Sequence, residues 1–160
     1  MDKLIMDEWK ELGFYYDIDT RESVNQWRFF GSKEGLQSLV LLIESYTNYS
    51  DNDTLYEHEH YGPYGSLTIK TLDKPTITLD YIAGTIQDLI FLKNLISKKL
   101  SNSLPGQTFN IDKEYGEDNT CTVKFFIMSD DFDPISMDEL IISGRQKIIN
   151  EKYKNSFERN

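Results

Sequence analysis

Cysteine is almost missing from these 160 residues, and proline, glycine and histidine are sparse, with one Cys, 4 Pro, 9 Gly and 2 His. A lone thiol, Cys121, cannot close an internal disulfide, so a disulfide-stapled miniprotein is excluded and a reducing compartment suits the chain. So little proline and glycine leaves no linker, low-complexity stretch or collagen-like rod. No apolar run approaches the roughly 18 residues that would cross a bilayer. No apolar h-region follows Met1-Asp2-Lys3, so no secretory signal is expected. The expectation is a soluble, cytoplasmic protein that does not engage a membrane.

Basic charge is also short. Lys and Arg number 17 against 27 Asp and Glu, a net charge of −10. Residues 143–160 carry five basic and two acidic side chains, so residues 1–142 carry −13. A field of that sign repels phosphate backbones and attracts cationic surfaces. Nucleic acid is therefore a poor ligand and a basic protein a good one.

Several chemistries lack their motifs. There is no Gly-x-Ser-x-Gly elbow for a nucleophilic serine. No Walker A loop, Gly-x-Gly-x-x-Gly or helical His-Glu-x-x-His occurs either. Paired carboxylates are inevitable among 27 acids and prove nothing alone.

Apolar side chains are sufficient for a core: Leu, Ile, Val and Phe make up 44 of 160 residues. We read one domain, 1–142, followed by a basic helical or frayed tail, 143–160. Leu4 to Leu12 suggests a short helix ending at Gly13. Phe14 to Ile18 and Gln26 to Phe30 are aromatic-rich strands joined by a polar turn, which predicts a hairpin. Ser32 is a natural N-cap. Leu36, Leu39, Val40, Ile43 and Tyr46 then follow helical spacing and predict a helix over 33–47. Asn48 to Thr54 reads as a loop. Leu55–Tyr61 and Ser66–Leu72 read as strands around Gly62-Pro63-Tyr64-Gly65, with a third strand over Thr76–Ile82. Thr85 and Asp88 resemble a capping box opening a helix through Leu100. Thr108–Tyr115 and Thr120–Met128 predict a last hairpin, with Cys121, Val123, Phe125 and Ile127 on one face, so that Cys121 reads as a small core residue. Ser136 with Glu139, flanked by Ile135 and Leu140, predicts a helix starting near Met137. Helices interspersed among hairpins, with no repeating βαβ unit, argue for an α+β fold. We expect a mainly antiparallel sheet, two helices packed on one face and a C-terminal helix.

Chemistry concentrates in Glu57-His58-Glu59-His60-Tyr61-Gly62-Pro63-Tyr64-Gly65, which holds both histidines. On a strand, His58 and His60 share one face and Glu57, Glu59 and Tyr61 the other. Three readings stand: a solvated strand with a tyrosine-braced turn, a recognition edge that pairs with a partner or a second copy, or a metal site. Two imidazoles would need a third ligand for catalysis, from Asp130, Asp131 or Asp133. Those three acids could equally favour the dipole of the following helix or form an anionic patch.

Gly13-Phe14-Tyr15-Tyr16-Asp17, Trp27-Arg28-Phe29-Phe30-Gly31-Ser32, Glu57 through Tyr64, Ile82-Ala83-Gly84-Thr85-Ile86-Gln87-Asp88-Leu89 and Asp131-Phe132-Asp133-Pro134 together span most of residues 13–139. In these phrases the chain resembles the small immunity proteins of bacterial polymorphic toxin systems. The resemblance implies a cytoplasmic antidote, not an enzyme and without a cofactor, that binds one toxin and obstructs its active site. Many such toxins are nucleases with basic clefts, which agrees with the acidic composition. The expected contacts are Glu57, His58, Glu59, His60, Tyr61 and Tyr64, with Asp130, Asp131 and Asp133 as a second acidic cluster. The alternative is a metal-binding domain or metal-dependent enzyme using His58, His60 and a carboxylate.

Overall fold

The computed structural model describes residues 2–21, 25–116 and 120–139. Helix α1 (Asp2–Leu12) is followed by strands β1 (Tyr15–Asp19) and β2 (Asn25–Gly31), then helix α2 (Lys33–Asn48). Strands β3 (His58–Tyr61), β4 (Leu67–Thr71), β5 (Thr76–Ile77) and β6 (Ile82–Gly84) lead into helix α3 (Ile86–Ser101). Strands β7 (Thr108–Asn110) and β8 (Cys121–Ile127) complete the regular structure.

The class is α+β, but the expected single, mainly antiparallel sheet divides into two mixed ones. The first has the order β1-β2-β8-β7 and the second β3-β4-β6-β5. Each is a pair of antiparallel ladders joined by a central parallel ladder, β2 with β8 and β4 with β6. The second sheet lies wholly within the sequence interval between the two halves of the first. Both sheets feed one hydrophobic cluster. Helices α2 and α3 pack on each other; α2 also meets β2 and reaches the second sheet through Tyr46, whose hydroxyl lies 2.7 Å from Thr71 Oγ1.

Local rules account for most elements. The five expected stripe residues of α2 are buried, and the Ser32 hydroxyl accepts from the Gly35 N–H at 3.0 Å. Thr85 and Asp88 form a reciprocal capping box on α3. Gly13 ends α1 at a φ of +89°, where a side chain would be strained. In β8, Cys121, Val123, Phe125 and Ile127 alternate inward as expected. Cys121 is buried, and loss of water pushes its thiol pKa up. Tyr16, Trp27 and Tyr115 tie the sheets together. Trp27 Nε1 donates to the Thr78 carbonyl at 2.7 Å, and the Tyr115 hydroxyl donates to the Ala83 carbonyl at 2.7 Å.

Apart from the start of β3, four boundaries differ from expectation. The 48–54 loop contains a 3₁₀ turn, Ser50–Asp53, held by Asn52, whose amide donates to the Tyr46 carbonyl at 2.9 Å. The strand over Thr76–Ile82 is broken into β5 and β6, because the Thr78 hydroxyl accepts the N–H groups of Asp80 and Tyr81 at 3.1 and 3.3 Å. That local turn folds β5 back on β6 as an antiparallel pair. The strand starting at Thr108 stops at Asn110, because Tyr115 folds back and its N–H donates to the Ile111 carbonyl at 3.0 Å. Met137 itself does not start an α-helix: Pro134–Met137 is a 3₁₀ turn capped by Asp133, Asp138 is extended, and residues 140–160, where the expected helix would run, lie outside the described residues. The Ser136 hydroxyl donates to the Asp133 carbonyl at 2.6 Å. The expected tail helix in 143–160 lies outside the described residues. Among the described residues, no helix is long and apolar enough to cross a membrane.

Candidate functional site

Strand β3 is the outer strand of its sheet, so its second edge pairs with no other strand among the described residues. Its alternation follows the expected split. The His58 and His60 rings meet edge to face with centroids 5.2 Å apart. On the other side, the Tyr61 hydroxyl donates to Glu59 Oε2 at 2.9 Å. Burial, then that hydrogen bond, raises the Tyr61 pKa.

The strand starts at His58 rather than Leu55 because a bulge precedes it. The Tyr56 N–H donates to the Thr71 carbonyl, and the Thr71 N–H donates to the Glu57 carbonyl, both at 2.9 Å. Two residues thus oppose one, with the first of them left-handed: Tyr56 has a φ of +75°. Glycine is the usual occupant of that position. Here a tyrosine fills it and stays 68% exposed.

Around this bulge the surface is acidic and aromatic. Residues Asp53 to His60 are all exposed without interruption. Tyr49 is 56% and Leu55 50% exposed beside them. Asp51, Asp53, Glu57 and Glu59 supply four carboxylates, and residues 49–60 contain no Lys or Arg. The Tyr49 phenol is raised in pKa by its hydrogen bond to Asp51 and by that residue's charge.

At the far end of β3, Tyr64 also has a positive φ, +67°, and is 52% exposed. It does not extend the ridge freely. Its hydroxyl donates to Asp138 Oδ2 at 2.8 Å, and its ring stands edge-on to Trp9 at 6.5 Å. Asp138, only 3% exposed, also accepts the Trp9 indole N–H at 2.8 Å. Tyr64 therefore ties the 57–65 segment to Asp138, downstream of the acidic run, and no described hydrogen bond or ion pair joins that segment to Asp130, Asp131 or Asp133. Asp130 and Asp131 are exposed; Asp131 accepts the Ser129 hydroxyl at 2.5 Å, which lowers its pKa. Asp133 is exposed too, but its carboxylate accepts the Ile135 N–H at 3.0 Å and caps the turn.

Beyond Tyr64 opens a cleft of about 480 Å³, floored by Trp9, Tyr15, Tyr16 and Trp27. Its two cations are each paired with an acid. Arg28 grips Asp17 with two hydrogen bonds of 2.7 and 2.6 Å, which raises the guanidinium pKa. Arg21 pairs with Asp19 at 3.1 Å. Desolvation, then the charges of Asp17 and Asp138, drives the Tyr15 phenol pKa upward. Neither histidine nor Cys121 lines this cleft. Asp17, Asp19 and Asp138 are held there as salt-bridge and hydrogen-bond acceptors, an arrangement fit for structure and contact.

The metal reading loses its third ligand. Among the described residues, no group of three His, Cys, Asp or Glu side chains converges on a point, so neither Asp130, Asp131 nor Asp133 joins the imidazoles.

Residues 49, 55, 56 and 138 were missed in the sequence. Leu55-Tyr56, two large apolar side chains inside a polar stretch, was a visible signal of exposure. Nothing local could pair Tyr64 with Asp138, 74 positions away. No family model, curated protein or solved structure matches the chain.

Proposed function

We propose that this protein is a non-enzymatic binder of the immunity type, which neutralises a bacterial toxin by seating its acidic ridge in the toxin's basic active-site cleft. The observation that carries this reading is the unbroken exposed run Asp53–His60, with four carboxylates and no Lys or Arg among residues 49–60 and with exposed Tyr49, Leu55 and Tyr56. Acidic rims speed encounter with a cationic cleft, while desolvated aromatics supply most of the binding energy. Tyr61 and Glu59 brace each other behind the edge, and His58 and His60 present polar rings in front of it. Asp130 and Asp131 add an exposed acidic pair, with Asp133 engaged in its cap. The net charge of −10 disfavours nucleic acid as the ligand. The reading places the protein in the cytoplasm beside its toxin.

The test is co-expression with the toxin domain encoded next to it, followed by binding kinetics across a salt series. The expected result is rescue of growth, a stable complex and an association rate that falls steeply with ionic strength. Reversing Glu57 and Glu59 to lysine should slow association at low salt and leave folding intact. Neither rescue nor a complex would remove the proposal.

A further inference from the structure

We infer that His58 and His60 form a two-imidazole site for a borderline divalent transition ion of the zinc class, whose remaining ligands come from water or from a docked molecule. The two residues occupy successive same-face positions on an outer strand, and both are exposed. Their ring centroids are 5.2 Å apart.

Their Nδ1 contacts leave a lone pair on each Nε2. His58 Nδ1 lies 3.1 Å from the Tyr56 carbonyl oxygen. A carbonyl only accepts, so that nitrogen carries the hydrogen and the ring's lone pair is left on Nε2. His60 Nδ1 lies 2.7 Å from the Thr68 hydroxyl, which can accept in the same way. Metal-binding imidazoles are typically oriented like this, one nitrogen donating to a protein oxygen and the other facing the ion. The Tyr56 carbonyl belongs to the bulge, so the backbone conformation that exposes the Tyr56 ring also orients His58.

Lys70 is the cross-strand neighbour of His58. Its ammonium sits over the rings of Tyr56 and Tyr81, 5.8 and 5.1 Å from their centroids. With no third protein ligand among the described residues, the ion keeps open positions. Structural zinc sites close with four protein ligands and catalytic ones with three, so a two-ligand site holds its ion exchangeably. This inference stands apart from toxin binding, because it concerns the isolated chain and zinc alone.

Calorimetric titration of the full chain with zinc should show one saturable site. Imidazole NMR should show Nε2 of both rings as the coordinating nitrogens. His58→Ala and His60→Ala should each abolish saturation; both side chains are exposed, so the fold should survive. Thr68→Val keeps shape and removes the acceptor for His60, and should weaken zinc binding about tenfold or more. Failure to saturate, or undiminished binding by the double alanine variant, would overturn the site. Unchanged affinity in Thr68→Val would overturn the assigned orientation of His60.

Discussion

Tyr56 stands where the backbone asks for glycine. A left-handed conformation costs a side-chain-bearing residue about 1–2 kcal/mol, and glycine's extra freedom when unfolded returns about 0.5–1 kcal/mol of that advantage. Tyr56→Gly is therefore expected to leave the urea unfolding midpoint unchanged or slightly raised, while weakening capture of the toxin. A clear loss of stability would mean that the ring supports the fold and not an external contact. Asp138 has the opposite character. It accepts the indole N–H of Trp9, a residue 1% exposed. Asp138→Ala strands that donor and should cost about 1–3 kcal/mol in denaturant unfolding. An unshifted midpoint would contradict the role given to this carboxylate.

Among the elements, the helices were the most legible. Ser32 and Thr85 cap their own first turns, and the stripes from Leu36 to Tyr46 and from Leu89 to Leu100 are set by helical periodicity alone. Thr85→Ala removes one half of a reciprocal cap and should lower stability by about 1 kcal/mol, read as a shift in thermal midpoint that Thr85→Ser largely restores. The hairpins β1–β2 and β3–β4 were legible too, since short turns bring sequence neighbours together; the β7–β8 pairing was legible as well, although residues 111–120 form a longer connection than the expected turn. The two parallel ladders were not. Nothing in the local pattern of Trp27 and Phe29 names Val123 and Phe125 as partners, and such pairing is decided by the packed core. Likewise the candidate ridge was half visible. Glu57 to His60 stood out by composition, whereas the bulge at Tyr56 depends on Thr71, a residue of the next strand.

Across the whole molecule, tyrosine sets the response to alkali. Burial is the first cause raising the phenol pKa of Tyr15, Tyr16, Tyr61 and Tyr115. A phenol whose folded pKa exceeds its unfolded value holds its proton more tightly when folded. The stability this lends is complete below the unfolded value, near pH 10, and is lost as pH rises from there toward the folded values. Base titration should therefore show tyrosinate absorbance growing together with cooperative loss of tertiary structure. Independent ionisation of all ten tyrosines with the fold intact would contradict this. The nested sheets have a consequence for how the chain assembles. Gln26 and Thr122, side by side in the β2–β8 ladder, are 96 positions apart. Closing so large a loop is slow compared with forming a hairpin. During synthesis from the N-terminus, β2 must wait with one edge open until β8 leaves the ribosome, and through that interval the nascent chain carries its greatest risk of pairing with a stranger.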